Sequence, residues 1–136
     1  QGLKGVRLPL VKNNCTHVYY LLPLIIDINK LGVSRDSIIK ALEAEGVSGL
    51  SAGYQNIHLL PIYQKKIAYG SNGFPWTLDG VRQDIDYAKG ICPVAEMLHE
   101  KTFIGFQMCL HELSSNDIDL VVSAFRKVWN NLDYLS

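Results

Sequence analysis

An excess of charge of one sign is what this chain lacks most plainly. Thirteen Lys and Arg residues face thirteen Asp and Glu, for a formal net charge of +0 at pH 7. Binders of nucleic acid or anionic membranes carry a basic excess or a basic cluster. An adjoining pair such as Lys65-Lys66 is neither, so no nucleic-acid or membrane partner is expected. Long apolar runs are also missing. The longest, over 18–26, is interrupted by Pro23 and falls far short of the roughly 20 residues that cross a bilayer as a helix. No secretory signal pattern opens the sequence. Cysteine is scarce: Cys15, Cys92 and Cys109 form an odd, widely spaced set without CxxC. They read as reduced thiols of a cytoplasmic protein, neither a disulfide framework nor a zinc site. The turn Gly70-Ser71-Asn72-Gly73 lacks the phosphate-cradle pattern. No carboxylate pair, nucleophile triad or recognisable Schiff-base lysine setting is present. Taken alone, the sequence encodes half a site at most.

What is present suits a globular domain. The 136 residues are 48% hydrophobic and 19% charged. A chain of that size buries about two thirds of its unfolded surface. Residues 1–16 read as a Gly-rich, basic lead-in, and 18–26 as a strand whose Pro23 demands an exposed edge or a break. A helix is expected over 35–45. Ser34 can cap it, Val33 can staple onto Ile38, and Gly46 sits where a left-handed cap belongs. A short strand from Val47 follows. The least regular stretch, 69–86, carries Phe74 and Trp76 as buried-type aromatics, in the manner of a lid. Pro93 opens a second helix that runs to about Lys101. Alternation over 103–110 predicts a strand with Ile104, Phe106, Met108 and Leu110 on one side. Ser114 caps the last helix, with Ile118, Val121, Val122, Phe125, Trp129 and Leu132 as its apolar stripe. This order predicts an α/β (α+β) two-layer sandwich, a short and mostly antiparallel sheet with helices on one face.

Function concentrates in the segment 46–64. Small residues lead into Tyr54, Asn56 and His58, and Pro61 and Tyr63 close it. A permissive backbone followed by convergent polar side chains lets a ligand approach and then holds it. The bland alternative is that His58 caps a turn while Tyr54 packs. His17 and His111 read as structural, and His99, next to Glu100, as part of a solvated helix face.

Several landmarks occur in a recognisable order. His17-Val18-Tyr19-Tyr20-Leu21 leads the first strand and Glu45-Gly46 ends the first helix. Gly53-Tyr54 through His58, Pro61 and Tyr63 come next, then Gly73-Phe74-Pro75-Trp76 and Cys92-Pro93-Val94-Ala95-Glu96, and last the Ser114 helix. Over 17–132 this set resembles the C-terminal small domain of the DegT/DnrJ/EryC1/StrS aminotransferases, fold-type I enzymes that use pyridoxal phosphate. Many relatives carry His-Tyr-Pro and a later Pro-Leu-His in the loop, whereas Gly53 precedes Tyr54 here and Gln55 and Asn56 follow it.

The resemblance implies that 1–136 is a single C-terminal domain of a larger enzyme, with its large cofactor-binding domain absent. The Schiff-base lysine, and the acidic residue that pairs with the pyridine nitrogen, would lie in that absent part. Pyridoxal phosphate would therefore belong to the full-length enzyme and none to this chain alone. The resemblance further implies a homodimer, a keto-sugar or cyclitol substrate, and a substrate-wall role for Tyr54, Asn56 and His58, with 70–90 framing the entrance. Two rivals remain: a free-standing regulatory α/β module of ACT-like kind that binds a small metabolite, and a degenerate partner subunit that only scaffolds. The first should show two similar βαβ halves, and no internal repeat is visible.

Overall fold

The computed structural model describes residues 2–135. Four strands form one sheet: β1 (Val6–Arg7), β2 (Leu22–Ile26), β3 (Leu50–Ser51) and β4 (Phe103–Phe106), in the order β1-β2-β4-β3. Every pairing is antiparallel, with Leu24 opposite Ile104, Leu22 opposite Phe106, and Ile26 opposite Val6. Side chains alternate along a strand, so Leu24, Ile26, Ile104 and Phe106 share one buried face. Two helices, α2 (Arg35–Ala44) and α5 (Ser115–Asn130), bring Ile38, Leu42, Ala124 and Val128 into the same cluster. Each Leu, Ile, Val or Phe among them contributes about 1.5–3 kcal/mol when fully buried. The result is the expected α+β two-layer arrangement.

The ends of α2 form as the sequence predicts. Ser34 accepts from the Ser37 N–H at 3.1 Å, and Val33 before it is buried with Ile38. At the far end Gly46 takes φ 89°, its N–H reaches Glu43 O and that of Val47 reaches Leu42 O, both at 3.0 Å. Those two bonds satisfy carbonyls that the helix leaves open. A short helix, α1 (Ile28–Leu31), precedes it, capped by Asp27 and stopped by Gly32 at φ 73°. Its single turn is too short to show a helical period, and none was expected there.

Four expectations need correction. The lead-in is not featureless: Val6 and Arg7 form β1, which pairs with Ile26 and Ile25. The strand expected from Val18 begins only at Leu22, and Val18 is 91% exposed. Pro23 is tolerated because β1 reaches no further than Ile25, so no ladder bond is required of it on that side. The strand expected to run to Leu110 ends at Phe106, because Leu22 and Leu50, the first residues of its two antiparallel neighbours, each pair with Phe106. Met108–Leu110 turns away as a 3₁₀ helix and Leu110 is exposed. Lastly, Val121, Phe125, Trp129 and Leu132 of the expected stripe do pack against the core, but the buried positions of α5 are Ala124 and Val128, and Ile118 and Val122 stay 46% and 40% exposed.

The described residues fall into two compact units. One comprises the sheet with α1, α2 and α5, and it holds every buried hydrophobic side chain among the described residues. The other, Tyr54–His99, contains a 3₁₀ turn at Ile57–Leu59 and two short helices, α3 (Pro61–Gln64) and α4 (Pro93–Met97). Its middle is irregular. A turn of π-helix, Leu98–Thr102, follows α4. No helix among the described residues is long and apolar enough to cross a membrane.

Candidate functional site

The organising group in Tyr54–His99 is a carboxylate. Pro93, whose fixed φ suits a first helical position, starts α4 directly after Cys92. One turn on, Glu96 bends back over the helix start and is only 6% exposed. Its oxygens accept from the Gly90 N–H at 2.8 and 2.9 Å, from the Cys92 N–H at 3.3 Å, and meet His58 Nε2 at 2.9 Å. The Gly90 N–H above all holds the Glu96 carboxyl below the usual carboxylate range; burial works against it, and His58 and the Cys92 N–H add to the lowering. Hydrogen bonds to the charged form prevail over desolvation here.

His58 sits in the Ile57–Leu59 turn with its side chain 11% exposed. The turn is tied from α3, where Gln64 Nε2 donates to His58 O at 2.7 Å and to Tyr87 O at 2.6 Å. Tyr87 in turn accepts from Trp76 Nε1 at 3.0 Å, and Tyr63 packs edge-on against Trp76 with ring centres 6.1 Å apart. An aromatic trio thus backs the His58 segment. Asn56 is half-buried, and its Nδ2 is a buried donor without a hydrogen-bond partner among the described residues. Tyr54 is different, at 69% exposed. Gly53, just before it, has φ 87°, and a Cβ there would lie 3.1 Å from the Phe103 ring. Only glycine fits that backbone without strain.

The three residues expected to face a ligand therefore share a segment but not an environment. His58 and Asn56 are sequestered, and Tyr54 projects. Glu96 was not singled out as a site residue, although its signal was present: Pro at the head of a helix with an acidic residue in its first turn. Nothing local in the sequence joins it to His58, 38 positions away. His17 is exposed and stacks on Tyr19 at 3.9 Å, and His111 is also exposed. His99 is not on a solvated face: it is half-buried, with Nδ1 enclosed. Phe74 is exposed and Trp76 half-buried, so only one of the two aromatics in the irregular stretch packs as expected. All three cysteines are exposed and free, and no group of three metal-ligating side chains occurs among the described residues.

No protein-family model matches the chain. Part of it is similar to two curated proteins. The spore coat polysaccharide biosynthesis protein SpsC of Bacillus subtilis is 35% identical over 75 residues, which are 55% of this chain and 19% of that protein. An uncharacterised protein of Methanocaldococcus jannaschii, MJ1066, is 32% identical over 75 residues, again 55% of this chain and 19% of that protein. The matched segment spans about a fifth of either relative, so the likeness is that of a part to a larger whole.

Proposed function

We propose that this chain is the C-terminal part of a pyridoxal-phosphate-dependent sugar or cyclitol aminotransferase, and that it supplies the substrate-facing wall. The observation that carries the reading is the partial similarity to a polysaccharide biosynthesis protein, which agrees with the ordered landmarks from His17 to the Ser114 helix. A cytoplasmic homodimer, in which a large N-terminal domain completes the site, belongs to the same proposal.

Pyridoxal phosphate supplies an electron sink once joined to a lysine amine. A lysine in that role sits desolvated, where its amine can be neutral. The lysines of this chain do not fit. All are exposed except the half-buried Lys66, whose Nζ lies 6.0 Å from the centre of the Tyr87 ring. The work left to this chain is recognition. His58 and Asn56 offer enclosed polar groups to substrate hydroxyls, and Tyr54 offers a projecting ring to the face of a sugar or cyclitol.

The test compares two forms. The chain as it stands should leave the absorbance of added pyridoxal phosphate unchanged and transfer no amino group from glutamate or glutamine to a keto-sugar. Joined to the coding sequence upstream of Gln1, it should do both. A cofactor–lysine absorbance band from the 136-residue chain alone, lost when one of its lysines is replaced, overturns the proposal.

A further inference from the structure

The His58–Glu96 pair has a direction built into it. A carboxylate is acceptor-only, and the other donors that reach Glu96, the Gly90 and Cys92 N–H groups, already spend their protons on it. The 2.9 Å contact from His58 Nε2 to Glu96 Oε1 is a hydrogen bond only if Nε2 carries the proton. In the neutral ring Nδ1 is then left with a lone pair and no proton. Nδ1 makes no hydrogen bond among the described residues, and it is not sealed from water. Two positions before His58 stands Asn56, with a buried donor that also lacks a partner among the described residues. The backbone of His58 is anchored separately, through its carbonyl to Gln64.

We propose that Glu96 is a positioning residue: it locks the His58 ring with the proton on Nε2, so that Nδ1 is presented as the acceptor for a hydroxyl of a polyhydroxylated ligand, with Asn56 Nδ2 as the complementary donor. The hydroxyl-bearing ligand rests on the substrate-wall reading; the lock does not. A site of this kind takes one donor and one acceptor from a polyhydroxylated ligand, and it discriminates against a deoxy analogue, because the analogue leaves enclosed polar groups unpaired. Glu96 does not touch the ligand. It decides which edge of the imidazole does.

The lock is read by ¹⁵N NMR of the imidazole rings in the full 136-residue chain, with His58 assigned by its loss in H58Q. Near neutral pH, His58 should show a single tautomer, with Nδ1 of the unprotonated type and an Nε2–H slow enough in exchange to be seen. In E96Q the amide is a weaker acceptor and can also donate, so the Nε2–H should exchange faster and the Nδ1–H form appear beside it, with the backbone spectrum outside Tyr54–His99 unchanged. A wild-type ring protonated on Nδ1, a rapidly exchanging Nε2–H, or a folded E96Q with an unaltered ring overturns the lock. If E96Q does not fold, the wild-type tautomer and its Nε2–H exchange decide the matter alone. Titration with myo-inositol tests the ligand separately: it should shift Nδ1 in the wild type and not in E96Q. A locked ring indifferent to myo-inositol overturns the substrate-wall reading and leaves the positioning role supported.

Discussion

Glu96 draws two backbone N–H groups and an imidazole onto one side chain. It accepts hydrogen bonds from Gly90 and Cys92 on its own approach and pairs with His58 from the other end of the unit. Because its carboxyl is held below the ordinary value in the folded protein, its stabilising contribution has a definite pH window. The contribution is complete above the unfolded carboxyl's pKa of about 4.3. It disappears as pH falls through the depressed folded value, where both states bind the proton. Thermal melts of the wild type and Glu96→Gln should therefore differ at about pH 7, with the variant less stable, and converge as the pH falls below the unfolded carboxyl's pKa and through the depressed folded one. Melts that stay equally far apart across that range would show that the charge is not what stabilises. The residue was visible in the sequence as the acid of Cys92-Pro93-Val94-Ala95-Glu96. Its partner was visible too, as His58. Their contact was not, because no periodic rule relates positions so far apart in irregular chain.

Among the elements, the long helices were legible, as was the Pro93 start of α4, whereas β1, α1 and α3 were not. For α2, Val33, Ser34 and Gly46 mark both ends, and each does what its chemistry suggests. For α5, Ser114 and Asp117 form a reciprocal cap: Asp117 accepts from the Ser114 N–H at 2.8 Å and stands below its ordinary pKa chiefly through the Ser114 hydroxyl. Replacing the cap of α2, Ser34→Ala, should cost about 1 kcal/mol, measured by urea denaturation. A loss of nothing at all would mean that the Val33 staple and packing fix the helix start unaided. The two-residue β1 and the single turn of α1 had no comparable signal. Both exist because neighbours make them: β1 by pairing with Ile25 and Ile26, α1 by the Asp27 and Gly32 caps. The burial of Ala124 and Val128 in place of Ile118 and Val122 likewise depends on what packs against α5.

Across the chain, stability is distributed unevenly. Leu24, Ile26, Ile38, Leu42 and Ile104 are sealed in the sheet-bearing unit, whereas Tyr54–His99 has no fully buried hydrophobic side chain among the described residues. It relies on Glu96, on Gln64 and on the Tyr63–Trp76–Tyr87 rings. Segments with few buried apolar contacts open at lower free energy than a core. Amide hydrogen exchange should accordingly be fastest in Tyr54–His99 and slowest in α2 and β4. Equal protection throughout would contradict this picture. A segment that opens readily suits a role in admitting and releasing a ligand.

Periodicity, caps and turn residues were enough to establish from the sequence that a short antiparallel sheet with helices on one face would form. Such features act over a turn or a strand, and so they can be read locally. The ends of the strands, the face that α5 buries and the union of His58 with Glu96 required the folded chain. Each depends on a neighbour supplied from a distant part of the sequence: a ladder that ran out at Phe106, a sheet that favoured Ala124, a carboxylate 38 residues away.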